Sequence, residues 1–167
     1  MFTKILVAVS AGSPDVVLAS AIETAQKYDA QIVALHVVDL RPCYVGAVDC
    51  NLGLIVEAME AHGHEVISQV RNTLDTHARS SEVRMMTLPI MGMTIGRAIA
   101  AVADDTGADL ILVGARSSAR WRWLSENVAA EVMRYSTRPT QIVADKRAAG
   151  SGVRGGPRWT GALSARV

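Results

Sequence analysis

Cysteine is scarce in this chain: Cys43 and Cys50 are the only two among 167 residues. Their spacing is not that of a Cys-x-x-Cys pair and they fall in one irregular stretch, so two reduced thiols are expected, with a disulfide or redox pair as the alternative. Aromatic residues make up only 4% of the sequence, and aliphatic residues must therefore build the core. No apolar run approaches the ~20 residues of a membrane span. The start, Met1-Phe2-Thr3-Lys4-Ile5-Leu6, enters a strand-like run without the basic and apolar regions of a signal peptide. A cytoplasmic location is the expectation. His62 and His64 would point about 200° apart on a helix, and there is no HExxH or Cys/His cluster, so no metal site is expected. No Gly-x-Ser-x-Gly elbow is present, and no nucleophile–base pair stands out. No catalytic site, and hence no enzyme, is expected.

Excess charge of one sign is also missing, with a formal net charge of +1. Its distribution is uneven. Residues 147–167 hold four Arg and no acid, which leaves −3 on the first 146. The body therefore lacks the basic footprint of a nucleic-acid binder. The stretch from Arg147 to Trp159 is rich in Gly and Arg and has no periodicity. The expected organisation is one domain over residues 1–146 and a disordered Gly/Arg-rich tail over 147–167. That tail could instead touch RNA, an anionic surface or a neighbouring subunit, with Trp159 as anchor.

What is present is a regular alternation of two patterns. Lys4 to Val9, Gln31 to Val38, Val83 to Leu88, Leu110 to Val113 and Thr140 to Ala144 read as strands. The first shows no polar alternation after Lys4, as befits a strand covered on both faces. Between the strands, helical spacing links Leu18, Ile22 and Ala25; Ile55, Met59, Val66, Val70, Leu74 and His77; Ile95, Ile99 and Val102; and Leu124, Val128, Val132 and Tyr135. Ser13 or Pro14 suits the first helix start. The order βαβαβαβαβ with right-handed crossovers implies an α/β fold, a doubly wound five-stranded parallel sheet with helices on both faces.

In such sheets a ligand binds where a strand's carboxyl end meets a helix start. Leu110-Ile111-Leu112-Val113-Gly114-Ala115-Arg116-Ser117 has that form, with a helix and a final strand behind it. Arg116, Arg120 and Arg122 crowd the following loop and could hold an anion, a phosphorylated partner or a nucleotide; ion pairs across a subunit boundary are the plainer expectation. His36, inside a strand, is expected to be a packed core histidine. Met85, Met86, Met91 and Met93 are expected to fill core or interface. Asp104-Asp105 is expected to be a solvated helix end.

Ile5-Leu6-Val7-Ala8-Val9, Ala34-Leu35-His36-Val37-Val38-Asp39 and Gly107-Ala108-Asp109-Leu110-Ile111-Leu112-Val113-Gly114, in that order, resemble the universal stress proteins over about residues 3 to 146. Val45-Gly46-Ala47-Val48-Asp49-Cys50-Asn51-Leu52-Gly53 and Trp121-Arg122-Trp123-Leu124-Ser125 are similar to the A type of that family. The resemblance implies a Rossmann-like fold, a stress role, and a homodimer formed by strand Thr140–Ala144, with further protein partners unspecified. Nucleotide-binding members carry an Asp after the first strand, then Gly-x-x-Gly, nine residues, and Gly-Ser or Gly-Thr. Glycine allows backbone N–H groups to approach phosphate closely.

This chain has Ser10 at the Asp position, keeps Gly114, and has Ser117 for the second Gly. Glu126 and Asn127 stand where Gly-Ser belongs, with the spacing one residue short. A carboxylate such as Glu126 beside a triphosphate costs on the order of 1–4 kcal/mol. The degenerate nucleotide site would comprise Ser10, Val38, Gly114, Arg116, Ser117 and Asn127. The expectation is a protein without a cofactor that acts through partners or protection, with an ATP-binding switch as the alternative. Ser10-Ala11-Gly12-Ser13-Pro14-Asp15 also faintly resembles the Ser-Gly-Gly-x-Asp-Ser loop of ATP pyrophosphatases, but Pro14 replaces the required Asp. An ordinary turn is expected there.

Overall fold

A computed structural model describes residues 1–11, 14–41, 51–88, 92–115 and 127–144. Among the described residues nine elements alternate: β1 Lys4–Val9, α1 Pro14–Tyr28, β2 Gln31–Val38, α2 Leu52–His77, β3 Ser81–Thr87, α3 Ile95–Thr106, β4 Leu110–Gly114, α4 Val128–Tyr135 and β5 Thr140–Val143. The strands form one sheet in the order β3-β2-β1-β4-β5, and every pairing is parallel. This is the α/β sheet that the alternating patterns imply. Among the described residues only the element ends differ, with β3 starting at Ser81 rather than Val83, while Leu124 and residues 42–50 lie outside the described residues.

Strand alternation sorts the core into two layers. Ile5, Val7, Val9, Ile32, Ala34 and Leu112 pack with Val17, Leu18 and Ala21 of α1 and Val66, Val70 and Leu74 of α2. Leu6, Val33, Leu35, Ile111 and Val113 pack with Ile99 and Val102 of α3 and Val132 of α4. Both sides of the central strands are therefore covered, which explains their unbroken apolar sequence.

Local chemistry fixes the ends that matter. The Thr94 hydroxyl accepts the Arg97 N–H at 3.2 Å and opens α3. Gly107, at φ 68°, closes α3 in the left-handed region where a side chain would be strained. Asp104 and Asp105 are exposed, as expected of a helix end, and each also meets an arginine. Asp105 pairs with Arg84 of β3 at 2.9 Å and Asp104 with Arg138 at 3.6 Å, because two acids at a helix C-terminus oppose its dipole and gain from nearby guanidinium groups.

The chain leaves β1 toward β2 and β3, then returns to place β4 on the other side of β1. The winding thus reverses between β1 and β4. A crevice opens there at the carboxyl edge, where such sheets hold their ligands.

Candidate functional site

That crevice is a cavity of about 310 Å³. Val9 and Ser10 from the end of β1, Val37 from β2, Gly114 from β4, Ile95 from α3 and Val128 from α4 contribute to its lining. Ser10, Gly114 and Asn127 of the sequence-derived set come together here. Arg116 and Ser117 lie outside the described residues, as do Arg120, Arg122 and Glu126, so the structure does not place them.

Val38 is directed elsewhere. Its Cγ2 lies 2.7 Å from the position a Cβ on Gly63 would take, so Val38 packs against α2 on the opposite side of the sheet. Val37, one residue earlier, borders the crevice instead.

Each of the three convergent residues also has a structural task. Gly114 ends β4 beside α1, and a Cβ there would stand 3.1 Å from Val17 Cγ2. A side chain there would have to displace Val17 by a few tenths of an ångström. Asn127 caps α4, its Oδ1 accepting the Ala130 N–H at 3.3 Å, which leaves the Nδ2 amide hydrogens as its free donors. Ser10 is exposed at the mouth. The remaining lining is aliphatic, from Ala8, Leu35, Ile99 and Val113 among others. Chemically the crevice offers one hydroxyl, one amide and the ends of β4 and α4 on apolar walls. Those walls escape sequence inspection because strands apolar at every position do not reveal which residue faces which layer.

A second, larger hollow of about 690 Å³ lies between the carboxyl ends of β1 and β2 and the first turns of α2. Val38 and Asp39 line it. Partial burial would raise the Asp39 pKa. Hydrogen bonds and charge from Arg41, with Nε and Nη2 each 2.8 Å from a carboxylate oxygen, outweigh this and hold it below its ordinary value.

The fold and crevice define a class: small doubly wound domains with a crevice at the sheet's carboxyl edge. The universal stress protein family model matches residues 1–144, and the chain belongs to that family. Solved structures agree. A universal stress family protein from Burkholderia pseudomallei superposes with a TM-score of 0.65 at 21% identity, covering 84% of this chain and 95% of the other. Universal stress protein UspA from Lactobacillus plantarum gives 0.65 at 24%, covering 84% and 97%. The universal stress protein from Archaeoglobus fulgidus, solved in complex with dAMP, gives 0.57 at 19%, covering 84% and 97%. At these identities the likeness establishes the fold. None of the curated proteins matches the chain closely enough to count as a relative. Among the described residues no helix is long and apolar enough to cross a membrane.

Proposed function

We propose that this universal stress protein is a non-catalytic, nucleotide-independent member of A-type character that acts in the cytoplasm as a homodimer, through partner binding or protection of other macromolecules. The observation that carries the reading is the apolar crevice. Where nucleotide-binding members present an Asp, this chain presents Ser10, and Asn127 commits its carbonyl oxygen to capping α4. No charged side chain is found among the described residues that line the crevice. Support for the dimer is the edge strand β5, which pairs with β4 on one side and leaves Ile142 48% exposed.

A second reading has its own support. The crevice sits at the switch point, Gly114 is retained, and the Archaeoglobus structure was solved with dAMP. A nucleotide switch would use the same place, with Arg116 and Ser117 added from the following loop.

Calorimetric titration with ATP and Mg²⁺, with mass followed by light scattering, separates the two. No heat together with a dimer mass is expected. Binding tighter than ~10 μM, about 7 kcal/mol of affinity, would overturn the nucleotide-independent reading and make Arg116, Arg120 and Arg122 the residues to mutate.

A further inference from the structure

The hollow against α2 belongs to the other side of the sheet. His36 and Val38 have the parity of Ile32 and Ala34, which face α1 and α2, whereas Val37 has that of Leu35, which faces α3. Ser10 and Val37 border both openings, and the rest of their walls is distinct. Ile55, Ala58 and Met59 form the helix wall, and Leu54 beside them is 63% exposed.

Besides Ser10, Asp39 and His62, the groove is lined by a buried polar side chain, His36, which is 7% exposed. Its Nδ1 lies 2.9 Å from the Val9 carbonyl oxygen. A carbonyl only accepts, so Nδ1 carries the hydrogen, and Nε2 of the neutral ring is an acceptor. Nε2 has no hydrogen-bond partner among the described residues. Fully buried side-chain nitrogen and oxygen atoms in the described residues are all partnered. Nε2 therefore keeps its access to the groove. Gly63 of α2 lies against the end of β2: a Cβ there would stand 2.7 Å from Val38 Cγ2, 3.0 Å from Met85 Sδ and, in ordinary contact, 3.6 Å from His36 Cδ2. Glycine at that position lets α2 approach Val38 and Met85 closely.

Charge narrows the occupant. Asp39 is closed by Arg41 at 2.8 Å, and His62 at the rim lies 3.5 Å from Glu65. Neither an ammonium nor a carboxylate finds an unmatched partner among these groups, and aliphatic walls penalise any ion that loses its water. A ligand that only accepts hydrogen bonds would meet the Nε2 lone pair. Flat apolar bodies suit the Ile55 and Met59 surface, since thioethers pack well against aromatic rings.

We propose that the groove between α2 and the carboxyl ends of β1 and β2 binds an uncharged aromatic molecule with one N–H or O–H donor, of the indole or phenol class, and that His36 Nε2 accepts that hydrogen. Its size falls within the range of small-molecule sites. Apart from Ser10 and Val37, its lining is distinct from that of the crevice.

The test is NMR titration of the full chain with indole and with naphthalene, which is similar in size but lacks the donor. Indole is expected to move the resonances of Ile55, Ala58 and the His36 ring nitrogens, and to bind about three- to tenfold tighter than naphthalene, as one neutral hydrogen bond provides. His36→Phe should erase that preference and leave naphthalene binding intact. Ala58→Trp, on the exposed side of α2, should block both probes with an unchanged circular dichroism spectrum. Should His36→Phe fail to fold, the His36 Nε2 shift and Ala58→Trp decide. Equal affinities in the wild type, a preference that survives in His36→Phe, shifts confined to Val113 and Val128, or no binding up to the solubility of indole would each overturn the proposal.

Discussion

Asp109 shows how one side chain positions the site from a distance. It precedes β4 and receives the Thr3 N–H and the Thr3 hydroxyl on one oxygen, both at 2.8 Å, and the Lys4 N–H on the other at 3.2 Å. The start of β1 is thereby tied to the start of β4, the two strands between which the crevice opens. Partial burial would raise the Asp109 pKa. Hydrogen bonds from the Thr3 backbone and side chain and from the Lys4 backbone outweigh that effect and lower it. Asp109→Ala should cost about 1–2 kcal/mol at neutral pH, toward the lower end for charge-assisted bonds because the group is partly solvated. A depressed carboxylate pKa stabilises fully above the unfolded value of about 3.9 and loses its contribution as the pH falls through the lower folded value. Urea unfolding of wild type and variant should therefore differ at pH 7 and converge in strong acid. A gap that stays constant with pH would show that the carboxylate's charge is not what matters.

Residue-level legibility follows from the same physics. Gly107-Ala108-Asp109 before an apolar strand is visible in the sequence, whereas the bonds from Asp109 to Thr3 and Lys4 span more than 100 residues and leave no local trace. Gly114 was identifiable from the strand-to-helix pattern, whereas Ser10 and Asn127 joined it through the resemblance to the nucleotide motif of the universal stress proteins. Their other tasks were not legible: Gly114 clears Val17 of α1 and Asn127 caps α4. Choosing Val38 over Val37 had no basis in pattern, since β2 is apolar at nearly every position.

At the scale of elements, the crossing of α3 and α4 sets the wall of the crevice opposite the sheet. Gly96, in the first turn of α3, makes the crossing close. A Cβ there would lie 2.3 Å from Glu131 Cβ and 2.9 Å from the Val132 backbone nitrogen. Because the obstacle is backbone and the base of a side chain, Gly96→Ala should push α4 away from α3. The expected cost is about 1–3 kcal/mol, as for other overpacked contacts, and the readout is a Tm lowered by several degrees. The change should also reach Ile95 and Val128, which both line the crevice, so their methyl resonances should move more than those of α1. Unchanged stability would mean that the two helices part without loss. The helices themselves were legible from spacing, and so were the strands. Edge strand β3 was read too short at its start because Ser81 and Glu82 look like loop. Half-exposed along its whole length, an edge strand tolerates polar residues that a central strand excludes.

For the whole molecule the open question is how the other edge is finished. β5 is four residues long, and strand edges invite pairing unless they are charged, bulged or covered. Its sequence, Thr140-Gln141-Ile142-Val143, carries no charge. Ile142 is half exposed, and Met133 and Tyr135 of the adjoining α4 are 53% and 45% exposed. Tyr135 lies between Arg97 and Arg134, whose guanidinium carbons are 5.8 and 5.7 Å from its ring centre. A two-fold contact would bring the same apolar and cationic surface together from both copies. Ile142→Lys places a charge on the pairing edge and removes the exposed aliphatic group, while β5 keeps its ladder to β4. Light scattering should then report a mass near the 17.8 kDa of one chain in place of about twice that value, with the far-ultraviolet spectrum unchanged. If the variant keeps the wild-type dimer mass, the copies meet through another surface. If the wild type is itself monomeric, the exposed edge must be finished by a different protein, and the search for partners would begin at Ile142, Met133 and Tyr135.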